Sequence, residues 1–131
     1  MKTSVRVVSI LSVALLLLSF VALPARADEA ASTIAQIVAG MNHFPTDEQK
    51  AALNDIQQNE AVDQNLRTIA AAVANVQHQP TEADRAKLQA IVDDEAASEE
   101  AKTLATAVLR FNHKVAETDL AALESLESPE Q

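Results

Sequence analysis

The sequence predicts an all-α fold built from three tandem copies of a 35-residue helical hairpin, six short antiparallel helices in all. Three observations lead there. First, equivalent residues recur in one ungapped register: His43, His78 and His113, then Ile34, Ile69 and Leu104, Val38, Val73 and Val108, Leu53, Leu88 and Leu123, and Ile56, Ile91 and Leu126. Laying 28–62 over 63–97 gives 14 identities in 35 positions, and self-similarity at this period is the mark of a repeat architecture. Second, apolar residues inside each copy fall at three- and four-residue steps, as in Leu66, Ile69, Val73 and Val76, which places them on one side of a helix. Third, a break follows each histidine in the first two copies, His43-Phe44-Pro45-Thr46 and His78-Gln79-Pro80-Thr81. Proline has no N–H for the helical ladder and disfavours helix in the residue before it.

Along the chain, residues 1–27 read as an export leader outside the fold. Lys2 and Arg6 give a basic start, an apolar run follows from Val7 to Leu23, and Pro24 precedes the small-x-small sequence Ala25-Arg26-Ala27. This is the pattern a signal peptidase accepts, so cleavage is expected after Ala27. The run is slightly short for a membrane span of about 20 apolar residues, and no cysteine follows it for lipid attachment. A single all-α repeat domain is expected over 28–131, in copies 28–62, 63–97 and 98–131.

The first helix of each copy opens on Asp28, Asp63 or Ser98, all good N-cap residues because a side-chain oxygen can accept from a free N–H of the first turn. Thr46 and Thr81 are expected to cap the second helix, with Gln49 completing a capping box at the first. The third copy is degenerate: Val115-Ala116 replaces Pro-Thr, and Ser128-Pro129-Glu130-Gln131 is expected to fray. Terminal repeats are commonly atypical because one side has no neighbour. Two topologies satisfy the pattern, a short solenoid-like stack of hairpins or a compact bundle, and the stack is the preferred expectation. The layout resembles tetratricopeptide repeats in geometry only, since their Trp, Gly, Tyr and Pro positions have no counterpart here.

Composition limits function. Cleavage would leave seven basic against nineteen acidic residues, a net charge of −12. Such a surface repels nucleic acid and anionic lipid, so neither nucleic acid nor, after cleavage, membrane is expected as a partner. A neutral or basic protein or peptide is. The chain has no Cys, Trp or Tyr and a single glycine, Gly40. These absences argue against a cysteine nucleophile, a nucleophile elbow, a phosphate-cradling loop and an aromatic platform. The acidic runs Asp93-Asp94-Glu95 and Glu99-Glu100 lack the alternating spacing of a calcium loop and read as solvated helix ends. No catalytic residue, enzymatic activity or resident cofactor is expected. Leu, Ile, Val and Phe make up 22 of the 104 residues from Asp28 onward, close to the lower limit for a folded chain, so the core is expected to be thin.

The candidate binding residues are His43, His78 and His113. Imidazole is the commonest metal-ligand side chain. Around a helix, His43 lies about 140° from Val38 and so off the buried stripe, near the helix C-terminus. A carbonyl-capping role is the expectation there. In a stack, equivalent residues would stand on the order of 10 Å apart, too far to share an ion, whereas a closed bundle with converging loops could bring the three together. The leading expectation is therefore a periplasmic or secreted interaction module. The alternatives are a metal or haem carrier using the three histidines, and a chaperone-like stress protein with a marginal core.

Overall fold

A computed structural model describes residues 23–127, which form six α-helices. They are α1 Leu23–Gly40, α2 Asp47–Gln58, α3 Gln64–Ala74, α4 Glu82–Asp93, α5 Glu99–Arg110 and α6 Glu117–Glu127. The fold is all-α and the hairpins are those expected. Apart from 23–27, which form the start of α1, the leader expected over 1–27 lies outside the described residues, as does the tail at 128–131. Among the described residues no helix is long and apolar enough to cross a membrane.

The helix boundaries follow from local chemistry. Thr46 accepts from the Gln49 N–H while the Thr46 N–H donates to Gln49 Oε1, the expected capping box. Thr81 caps α4 through the Asp84 N–H, Asp63 caps α3 through the Asn65 and Leu66 N–H groups, and Ser98 caps α5 through the Ala101 N–H. Asp28 departs from the expectation. Here α1 starts at Leu23, so Asp28 lies inside the helix; Pro24 falls in the first turn, where a missing N–H leaves no bond unmade. Asn59 and Asp94 turn the chain between hairpins, each accepting with its side-chain oxygen from the backbone N–H two residues on.

Helices α1, α3 and α5 meet one another at the centre, and α2, α4 and α6 lie outside them. The inner helices carry most of the core, including Ile34, Val38, Ile69, Val73, Leu104 and Val108, all at most 1% exposed. Each outer helix contributes one conserved-in-register anchor, Leu53, Leu88 or Leu123, fully buried. Each fully buried aliphatic side chain of this kind contributes about 1.5–3 kcal/mol, and the abundant alanines let helix axes approach. The outer helix of one unit packs chiefly on the inner helix of the next: α2 on α3, α4 on α5, and α6 back on α1.

That last contact decides the topology. The preferred expectation of a stack with two free ends does not describe this molecule: the three hairpins close into a ring about a pseudo-threefold axis. The closing junction also repeats the chemistry of an internal one. Arg67 Nε donates to the Gln57 carbonyl between α3 and α2, and Ser32 Oγ, at the equivalent position, donates to the Glu127 carbonyl between α1 and α6.

Candidate metal centre

Each helical hairpin turns at its histidine. The inner helices end at Gly40, Ala74 and Arg110, three or four residues before it, and the buried Met41, Val76 and Phe111 pin the chain against the core. The chain then reverses at the histidine and re-enters the core at Pro45, Pro80 or Val115, all buried. Reversal over so few residues requires a left-handed backbone: His43, His78 and His113 have φ of 68, 67 and 64°, the only non-glycine residues with positive φ among those described. In this conformation the β-carbon crowds the following carbonyl, at a cost of roughly 1–2 kcal/mol per residue.

Closure of the ring brings the three turns together. The His43 N–H donates to the His113 carbonyl at 2.6 Å, the His78 N–H to the His43 carbonyl at 2.6 Å, and the His113 N–H to the His78 carbonyl at 2.7 Å. This cyclic set of bonds lies on the pseudo-threefold axis and joins all three units at one point. The imidazoles stand together above it, with ring centroids 5.0–5.2 Å apart. All three side chains are exposed, and one ring nitrogen from each can be chosen so that the three lie within 4.8 Å of one another.

The expected separation of about 10 Å belonged to an open stack and does not apply to a ring; the convergence is that of the closed-bundle alternative. The position off the buried stripe near the helix C-terminus holds, since all three histidines are exposed and follow the helix ends by three or four residues. The histidine backbones bond to neighbouring units and not to the carbonyls of their own helices.

The arrangement fits a small cation. Three imidazole nitrogens about 2.1 Å from one tetrahedral ion are about 3.4 Å apart, so donors already within 4.8 Å need only small rotations of exposed side chains. His113 is the most clearly oriented. Its Nδ1 lies 2.7 Å from Asn112 Oδ1, which also accepts from Gln79 Nε2 at 3.3 Å. An amide oxygen only accepts, so Nδ1 is the donor in this contact and Nε2 is the nitrogen left for an ion. Such a partner on the second nitrogen is the usual device for orienting a metal-ligating imidazole. A haem fits less well, since three convergent donors leave no room for a porphyrin between them.

A signal in the sequence did mark the site. The residue after the histidine differs in every copy, Phe44, Gln79 and Lys114, and the one before it is Asn42, Gln77 or Asn112, while the histidine does not change. Exposure removes packing as the reason, and glycine or asparagine would occupy a left-handed position at lower cost. Retention of imidazole in all three units therefore points to the side chain's chemistry. The surface hollows elsewhere are open and shallow, and one of them adjoins the site, lined by Phe44, Lys50, Asn75 and His78. Compared with protein-family models, with curated proteins and with solved structures, the chain matches none.

Proposed function

We propose that this protein binds a divalent transition-metal ion through His43, His78 and His113, as a non-enzymatic carrier or sequestering protein of the periplasm or extracellular space. The observation that carries the reading is the convergence of three imidazoles, one from each unit, within 4.8 Å. Neutral nitrogen donors favour zinc, copper or nickel over calcium or magnesium, which take oxygen ligands. The leader-like residues 1–27 support a place outside the cytoplasm, and the excess of acidic residues raises the local concentration of cations. The second reading is a protein- or peptide-binding module, for which no feature of the described residues is as specific as the histidine cluster.

Calorimetric titration of the untagged protein with zinc, copper and nickel tests the proposal. Saturable binding at micromolar or tighter affinity is expected, lost when all three histidines become asparagine. Asparagine is the suitable control because it tolerates the left-handed backbone, whereas alanine would confound lost ligation with lost stability. Binding no tighter than that of the triple-asparagine protein overturns the reading.

A further inference from the structure

Three imidazoles on one face leave a metal ion's opposite face open, and what fills it is the further question raised by the site. Among the described residues no carboxylate or further imidazole joins the group. The remaining ligands come from outside the chain.

Three features of the histidine end indicate what supplies them. The cluster occupies the turns at one end of the axis and is exposed, so a flat or convex surface can reach the ion. Phe44, next to His43, is 57% exposed and is the one large exposed hydrophobic residue among those described; aromatic side chains, Phe among them, are enriched in the cores of protein interfaces. The charge is also unevenly distributed. The histidine end sets Asp47, Glu48, Glu82, Asp84, Glu117 and Asp119 against Lys50, Arg85, Lys87, Arg110 and Lys114, with Arg110 paired to Asp119 and Lys87 beside Asp84. The loops and helix starts of the opposite end carry Glu60, Asp63, Asp94, Glu95, Glu99 and Glu100 against Arg67 and Lys102. Two copies meeting at their histidine ends would bury the near-neutral surfaces together, keep the acidic ends far apart and place a cation between them.

We infer that the metal ion bridges two copies of this chain. It takes His43, His78 and His113 from one copy and the same three residues from a second, which completes a six-nitrogen shell with the Phe44 side chains at the contact. This rests on the metal reading above. Ligand exchange is the only chemistry involved: three metal-bound waters leave as the second copy's three nitrogens bind. The two threefold sets oppose each other across the ion, and opposed triangles of donors are the geometry of an octahedral shell.

Sedimentation equilibrium of the untagged protein with EDTA, then with nickel, reads both mass and stoichiometry. The expected result is a monomer in EDTA and a doubled mass with metal, saturating at one ion per two chains. One ion per chain at monomer mass overturns the bridge but leaves the metal reading intact. No bound ion overturns both. A dimer that persists in EDTA shows an interface independent of metal and also overturns the bridge. Phe44→Glu, at an exposed position, is expected to retain the ion while weakening the dimer at least tenfold; an unchanged dimer overturns the placement of Phe44 in the contact.

Discussion

The turn between α3 and α4 and the turn between α5 and α6 solve one problem with different residues. In the second unit Thr81 caps α4 and donates to Asp84 Oδ2 at 2.8 Å, while Asn75 Nδ2 donates to the same oxygen at 3.2 Å. Asp84 is 4% exposed and well served. In the third unit Ala116 stands where the threonine would be, and Asp119, 7% exposed, accepts only from Arg110 Nη1 at 3.0 Å. Its other oxygen is buried without a partner among the described residues. The first unit has Gly40 opposite Gln49, and the glutamine turns back to its own cap. Positions 40, 75 and 110 thus vary together with 49, 84 and 119, because a buried carboxylate needs a donor across the turn and a solvated amide does not. Loss of one hydroxyl in the third copy is the physical content of its degeneracy.

The largest effects should come from the anchors shared by the two turns. Leu88→Ala and Leu123→Ala each remove a fully buried side chain, and each is expected to lower stability by about 2–4 kcal/mol in chemical denaturation. Equal losses mean the closing junction between α6 and α1 is as firm as the internal ones. A Leu123→Ala loss under half that of Leu88→Ala would show the ring to be looser where it closes.

The caps come next. Thr81→Ala should cost about 1–2 kcal/mol, since it removes the cap and one donor to a buried carboxylate. Ala116→Thr should restore both in the third unit and stabilise by about 1 kcal/mol. If Ala116→Thr is neutral or destabilising, the orphaned Asp119 oxygen is met in some other way and the contrast between the turns fails. Smaller still is the backbone effect at the histidines. His78→Gly is expected to be more stable than His78→Ala by about 1 kcal/mol in the absence of metal, measured as a difference in denaturation midpoints. The reverse order would mean that the left-handed turn carries no strain. At the bottom of the scale, Lys102→Ala removes a 4.0 Å contact with Glu99, whose side chain is 92% exposed; the change should stay within about 0.5 kcal/mol.

Much of this molecule is local. Helix positions, the Thr46, Thr81, Asp63 and Ser98 caps, the hairpin units and the buried stripe all follow from spacing and capping chemistry within a few residues, and these are legible in the chain itself. The cap expected at Asp28 differs because α1 extends back to Leu23, past the point where the repeat begins. The ring was not legible. Whether three hairpins stack or close depends on the small rotation between neighbours, which is the sum of many side-chain contacts such as α2 on α3 and has no local signature. The same holds for the histidines. Their identity and period are written in the sequence; Gly40 and Asn75 mark the helix ends three residues earlier, and only helical phase carried past them assigns the histidines to a capping role. Their meeting on one axis, with each backbone bonded to the next unit's, is a consequence of closure. It exists only once α6 has packed against α1, because only then does a 35-residue repeat along the chain become a threefold arrangement in space.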